Sequence, residues 1–393
     1  MMQNRPTVVI TKFTNWTYFQ WFLLGFYELE RAGKIKLKFK TDWITNVSTK
    51  INNKKVISGL RKLFKYKVDM NLYGYIKDNG VKKYFCIDNA DAPFLFDSEA
   101  LDQVSVYFKM QCPKIFDANG FSLTSDVSIP YSDYSYSCDV NENSFVKQKR
   151  CTNLFDNLSK VSPLMVGCRQ LAEMKNSYKA LRHGYDNYIE SRCSEPSKKV
   201  MSYFGNALGP EPSECANKID ANSESDIMGY FVGKIEHPNE KRSKASQILN
   251  RVSEENDARV ISENFADSKE VIKNDDIVVP LDKFCEHISH FQYNLNISGY
   301  RMSIPNRFIE SFIVGTAILT DKLFVRWYLP FEEEVIETVE MGYKLNNDID
   351  WSAFEEDLKK LPTINKKSII DSFERKWSPI VVANYILNTI LKA

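Results

Sequence analysis

No Cys-x-x-Cys pair occurs in this sequence, and its eight cysteines (Cys86, Cys112, Cys138, Cys151, Cys168, Cys193, Cys215 and Cys285) show no Cys/His ligand spacing. The usual zinc frameworks are thereby excluded, and scattered thiols fit a reducing compartment. Long hydrophobic runs are missing too: no stretch of about 18 apolar residues is present, the length a membrane-crossing helix needs. The opening residues lack a cationic segment followed by an apolar stretch and a small-residue cleavage site, so a cytoplasmic location is expected. Charge of one sign is absent. With 52 Lys and Arg against 51 Asp and Glu, the net charge is +1, so no global field draws the chain to nucleic acid, and any basic site has to be local. G-x-S-x-G, a Walker loop, G-x-G-x-x-G and H-E-x-x-H are all absent, which removes the residues that serine hydrolases, P-loop NTPases, dinucleotide enzymes and zincins need. There is no internal repeat.

What is present is an ordinary globular composition, 43 % hydrophobic and 26 % charged over 393 residues. That length suits two domains of roughly 150–200 residues. Residues 7–11 read as a strand, 16–32 as a helix capped by Thr14 or Asn15 and ended by Gly33, and 34–39 as a second strand. Strand, helix, strand is one crossover unit of a parallel sheet. The helix is apolar over most of its circumference, which points to burial. A further apolar run, 84–87, stops at Asp88-Asn-Ala-Asp91, where an open parallel sheet would place chemistry just beyond a strand. Residues 176–193 read as a helix, and the Ser-Glu-Pro-Ser stretch after it marks a domain boundary.

The second half repeats the pattern. Strands are expected at 199–204, 228–232, 258–262, 293–297 and 316–320, with helices at 242–252 and 304–314 and a loop over 233–241. Residues 368–391 read as a helix broken at Pro379. The richest segment is Ser298-Gly-Tyr-Arg-Met-Ser-Ile-Pro-Asn-Arg-Phe-Ile-Glu310. Ser303 can cap a helix and Pro305 suits its first turn, so free N–H groups and the helix dipole would favour an anion there. Arg301 and Arg307 add fork-shaped donors for phosphate oxygens, and Glu310, three residues beyond Arg307, can accept from sugar hydroxyls such as a ribose diol. A capped surface helix carrying an Arg307–Glu310 ion pair would use the same residues without a ligand.

This succession, a strand ending Asn294-Leu-Asn-Ile-Ser298, the turn with Arg301 and Ser303, the helix bearing Asn306, Arg307 and Glu310, then Gly315-Thr-Ala-Ile-Leu-Thr320 and Trp327-Tyr-Leu-Pro-Phe331, resembles the donor-binding domain of GT-B glycosyltransferases, most closely the exostosin-like branch. The resemblance covers roughly residues 228–335. It implies an α/β fold of two Rossmann-like domains facing across a cleft: 1–195 on the acceptor side, 196–365 holding the nucleotide sugar, and 366–393 as a C-terminal helix crossing back to the N-terminal domain. It further implies a UDP- or GDP-type sugar donor, no permanently bound cofactor and no obligatory metal. Arg301, Ser303, Asn306 and Arg307 would then meet the diphosphate and Glu310 the ribose or donor sugar. Gly233, Lys234 and Arg242 match the glycine loop and basic residue that face the phosphates from the first strand of such domains.

Glycosyl transfer with inversion needs a base for the acceptor hydroxyl, and Asp88 and Asp91 are the candidates. The same residue types also cap strand ends and form turns. Two alternatives stay open: a metal-dependent GT-A-like transferase in which Asp88 and Asp91 hold a divalent cation, one residue further apart than Asp-x-Asp, and a non-catalytic glycan-binding protein. The expected partners are the nucleotide sugar and an oligosaccharide or glycolipid acceptor of surface polysaccharide or lipopolysaccharide assembly, with no nucleic acid. The basic cluster 61–67 is compatible with peripheral contact at the inner face of a membrane.

Overall fold

The structure, a computed structural model, describes residues 5–13, 16–41, 71–90, 93, 96–114, 121–124, 127–129, 136–139, 144–147, 155–168, 171–172, 176–193, 195–204, 238–254, 256–260, 281–297, 303–323, 325–338 and 350–393. It is a mixed α/β architecture with two principal sheets. The first half starts with β1 (Thr7–Phe13), a 3-10 turn (Trp16–Phe19), α1 (Gln20–Arg31) and β2 (Lys36–Phe39), with β1 and β2 parallel. α1 ends in a Schellman motif: Gly33 takes a φ of 72°, its N–H reaches the Glu30 carbonyl, and the Lys34 N–H reaches the Leu29 carbonyl, both at 2.9 Å. Only a residue tolerant of the left-handed region ends a helix this way.

A hairpin that the sequence reading passed over follows. β3 (Asn71–Asp78) and β4 (Val81–Asp88) are antiparallel and joined by Asn79 and Gly80 at φ 46° and 88°. Asn-Gly with both φ values positive is the two-residue turn that matches strand twist. α2 (Ser98–Gln103), capped by Asp97 through the Ala100 N–H at 3.1 Å, leads to β5 (Val106–Lys109) and the short β6 (Cys112–Pro113). Four more short strands, β7 (Phe121–Thr124), β8 (Val127–Ile129), β9 (Tyr136–Asp139) and β10 (Ser144–Lys147), form two separate ribbons. β11 (Val161–Pro163) completes a six-stranded sheet of order β11-β5-β4-β3-β1-β2, in which only β3 runs against the rest. α3 (Tyr178–Glu190), capped by Ser177, closes the first half.

The second half runs β12 (Lys198–Phe204), α4 (Pro238–Val252), β13 (Asp257–Val260), α5 (Leu281–Ser289), β14 (Phe291–Asn296), α6 (Arg307–Ile313), β15 (Ala317–Thr320), β16 (Val325–Arg326) and β17 (Val335–Glu337). Its five-stranded sheet, β13-β12-β14-β15-β17, is parallel throughout. The strand expected at 228–232 lies outside the described residues. α4 begins at Pro238, inside the segment expected as loop, because proline at the first helical position lacks only an N–H that has no partner there.

Three helices end the chain: α7 (Trp351–Lys359), α8 (Lys366–Lys376) and α9 (Pro379–Lys392), the last two divided at the expected proline. Asp350 caps α7 through the Ala353 N–H at 3.0 Å. α9 lies against α1 so closely that a Cβ at Gly25 would come within 2.1 Å of the Pro379 carbonyl oxygen. Further ties bind this terminal pair to the first half. Trp21 Nε1 donates to the Trp377 carbonyl at 3.2 Å, Lys83 Nζ to the Leu391 carbonyl at 2.7 Å, and Tyr385 Oη to the Pro163 carbonyl at 2.9 Å. The aromatic helix is buried as expected: Trp21, Phe22, Leu23, Leu24, Phe26 and Leu29 expose no surface, each worth about 1.5–3 kcal/mol of burial. The core then runs on through Phe373, Trp377, Trp327 and Phe308 into the second sheet, with the Trp327 and Trp377 rings 5.1 Å apart. No helix among the described residues is long and apolar enough to cross a membrane.

Candidate functional site

Parallel strands point all their C-terminal ends to one side, and ligands of open α/β sheets gather there, where the strand order reverses. In the second sheet the reversal falls between β12 and β14, since β13 lies beyond one and β15 beyond the other. β14 ends in Asn294 and Asn296, two residues apart and so on one face of the sheet. Asn294 donates from Nδ2 to Ser311 Oγ at 3.0 Å and so ties the strand to α6. Asn296 accepts at Oδ1 from Arg307 Nη2 at 3.0 Å and donates from Nδ2 to Thr320 Oγ1 at 3.5 Å; Thr320 in turn donates to Asp321 Oδ1 at 3.2 Å. Asn296, Thr320 and Asp321 are buried and Arg307 half-buried. A fixed polar line therefore holds one guanidinium at the carboxyl edge of β14 and β15.

The segment ahead of Arg307 is held from the other sheet. Gln111, just past β5, accepts at Oε1 from the Ile304 N–H and donates from Nε2 to the Ile304 carbonyl, each at 2.9 Å. Asn306 donates from Nδ2 to the Gly167 carbonyl at 2.6 Å, and β16 pairs antiparallel with β6. These contacts correct the expected helix start. α6 begins at Arg307 with Asn306 at its N-cap, in helical conformation and without a side-chain cap, so Ser303 caps nothing and Pro305 precedes the helix. The physical reason is twofold: Pro305 has no N–H to offer a Ser303 cap, and Gln111 on Ile304 with Gly167 on the Asn306 side chain holds this stretch outside the helix until Arg307.

At the carboxyl edge of the first sheet, Asp88 sits at the end of β4 and Lys109 at the end of β5. The carboxylate and ammonium pair at 2.8 Å with 2 % and no exposure, respectively. Asp88 Oδ2 also accepts from Tyr107 Oη at 2.6 Å, and Oδ1 from the Ala90 N–H at 2.6 Å. Tyr107 accepts in turn from the Asp97 N–H at 3.0 Å, and Asp97 Oδ2 takes bonds from Asn71 and Tyr73. Burial, reinforced by the Asp88 charge, pushes the Tyr107 phenol well above its ordinary range, so this hydroxyl remains a donor at any physiological pH. Lys109 also stands 5.2 Å from the Phe96 ring centroid.

No protein-family model and no curated protein matches this sequence.

Of the expected site residues, Arg307 reaches the carboxyl edge, while Asn306 faces the first half. Glu310 is 3 % exposed, and its charge raises the thiol of Cys168 and the phenol of Tyr188, which places it inward toward α3. Arg301, Gly233, Lys234 and Asp91 lie outside the described residues; Arg242 falls on α4 with its side chain outside them. Among the described residues no three His, Cys, Asp or Glu side chains gather as a metal would require. Sequence reasoning missed Lys109, Tyr107, Gln111 and Asn296. The signal for Lys109 was a cation closing the apolar strand Val106-Tyr-Phe-Lys109; for Asn296 it was Asn-x-Asn within an otherwise apolar strand. Nothing local marks Gln111, whose partner lies in the other half of the chain.

Proposed function

We propose that the chain is a glycosyltransferase of GT-B organisation, transferring a sugar from a nucleotide-diphosphate donor to a hydroxyl of an oligosaccharide or glycolipid acceptor. The observation that carries the reading is the all-parallel sheet whose carboxyl edge bears the Arg307–Asn296–Thr320 line. It is supported by the first sheet's carboxyl edge being joined to the same segment through Gln111 and Ile304. In this reading Arg307 meets the donor diphosphate with bidentate geometry. Asn296 keeps the guanidinium from swinging away, and the peptide stretch ahead of it approaches the sugar. The same reading assigns Arg301, Ser303, Gly233, Lys234 and Arg242 to the donor, as expected from the sequence.

On the acceptor side, a general base needs a free lone pair within reach of the hydroxyl. Asp88 already accepts from Lys109, Tyr107 and the Ala90 amide, so the proposal makes it the post that shapes the turn and gives proton abstraction to Asp91. The Lys109 ammonium at 2.8 Å also occupies the oxygen that a divalent cation would need, which favours the metal-independent reading over the GT-A-like one.

The test is thermal unfolding with UDP, GDP, CMP and dTDP, each with and without EDTA, on wild type and Arg307→Ala. A ligand at 100 times its dissociation constant stabilises by about 2.7 kcal/mol. Stabilisation by one diphosphate without metal, lost in Arg307→Ala, is the expected result. No stabilisation by any of them, or stabilisation that needs a divalent cation and ignores Arg307, overturns it.

A further inference from the structure

Cys193 follows α3, and Lys366 opens α8, 173 positions later in the chain. Both side chains converge on one carbonyl oxygen. Lys366 Nζ donates to the Ser289 carbonyl at 2.8 Å, Cys193 Sγ lies 3.2 Å from the same carbonyl and 3.0 Å from that of Glu195, and Nζ and Sγ stand 3.6 Å apart. The lysine is not free to leave. Its stem lies over Gly315, where an added Cβ would come within 2.4 Å of Lys366 Cγ, and the residue is 8 % exposed. Cys193 is half-buried rather than sealed, unlike the buried Cys86, Cys112, Cys168 and Cys285, so a small oxidant can reach it.

We propose that Cys193 and Lys366 form an oxidant-driven sulfur–nitrogen cross-link, a reversible covalent clasp between the segment leaving the first half and the helix returning to it. The oxidant class is hydrogen peroxide. In the first step the Cys193 sulfur attacks a peroxide oxygen, the O–O bond breaks, a sulfenic acid forms and water leaves; sulfur loses two electrons and peroxide gains them. In the second, the lone pair of the neutral Lys366 amine attacks Sγ, the S–O bond breaks, and hydroxide departs with an amine proton as water. That step is redox-neutral and leaves a sulfenamide. Burial, aided by the nearby Arg192 charge, lowers the Lys366 pKa against the opposing pull of Cys193, which raises the fraction of amine able to attack. A thiol reductant reverses the bond by thiol exchange. The inference is independent of the donor-site reading.

The experiment treats the full-length protein with hydrogen peroxide and maps tryptic peptides without reduction. Expected is a linked pair joining the Cys193 and Lys366 peptides, lighter than their sum by a pair of hydrogens, with cleavage after Lys366 blocked and both effects erased by dithiothreitol. The oxidised protein also melts at a higher temperature than the reduced one. Lys366→Arg keeps charge and stem but not the nucleophile: the link disappears while the Cys193 sulfenic acid accumulates and is trapped by dimedone. Cys193→Ser, read separately, leaves Lys366 cleavable after peroxide. Conversion of wild-type Cys193 to sulfinic acid without a link overturns the proposal. So does a disulfide to another cysteine, or persistence of the blocked site in Cys193→Ser.

Discussion

Gln111 holds both backbone polar groups of Ile304, accepting from its N–H and donating to its carbonyl, each at 2.9 Å, across 193 positions of sequence. Ile304 is 1 % exposed and Gln111 4 %, so neither backbone group has water to fall back on. Gln111→Ala is expected to cost about 1–3 kcal/mol for each group left unpaired, read as a lower urea midpoint. The same variant loosens the approach to Arg307 and should weaken nucleotide stabilisation beyond the loss of fold stability. Gln111→Glu, which retains the acceptor but sets a buried carboxylate against the Ile304 carbonyl, should be at least as destabilised as Gln111→Ala at neutral pH.

Breaking the buried Asp88–Lys109 pair from one side strands a charge. Lys109→Met is expected to destabilise by about 3–5 kcal/mol in urea unfolding, since Tyr107 and the Ala90 amide remain on Asp88 but the counter-charge does not. An unchanged midpoint would show that the pair contributes little.

The acid limb of the stability profile should carry the signature of Glu334. This carboxylate has no exposure. Burial by itself raises its pKa, yet hydrogen bonds from Lys376, Ser372 and backbone N–H groups outweigh burial and hold it below the ordinary glutamate range. A depressed folded pKa means that the stability is fully present above the unfolded value, roughly pH 4.3, and is lost as pH falls through the folded value. Urea midpoints of wild type should therefore drop between neutral pH and pH ~3 more steeply than those of Glu334→Gln. Parallel curves would remove Glu334 from the account.

Gly25→Ala sets two effects against each other in the middle of α1. Alanine is favoured in a helix by about 1 kcal/mol, but its Cβ would lie 2.1 Å from the Pro379 carbonyl oxygen and 2.8 Å from Ala383 Cβ. Overpacking of a tight interface costs about 1–3 kcal/mol, and backbone cannot rotate away as a flexible side chain can. The expected outcome is a lower Tm; a higher one would mean that α9 shifts without penalty.

β1, β2, β12, β14 and β15, with α1, α4 and α6, were legible because each writes its burial pattern locally, whereas β5, β11, β17 and α5 were not read. Tyr293, Leu295, Ala317, Ile318 and Leu319 are apolar where the second sheet is buried, and Gly33 ends α1 where only glycine fits easily. β3 was missed although Asn79-Gly80 announces its hairpin, because the alternation around it is interrupted by Gly74 and Lys77. The site was less legible for a different reason. Arg307 could be found from its own neighbourhood, but the residues that fix it, Asn296, Thr320 and Gln111, act through contacts that no local window contains. The cap expected from Ser303 failed locally as well, since Pro305 offers it no N–H and the helix begins only at Arg307.

The packing of α9 on α1 has a consequence for synthesis of the chain. Trp21, Phe22 and Phe26 leave the ribosome long before the helix that lies against α1 is made. At typical elongation rates of about 5–20 residues per second, the first helix waits roughly 20–70 s for its partner. During that interval the side of α1 that meets α9 lacks its final partner, so aggregation of fragments that stop short of α9 is built into this connectivity.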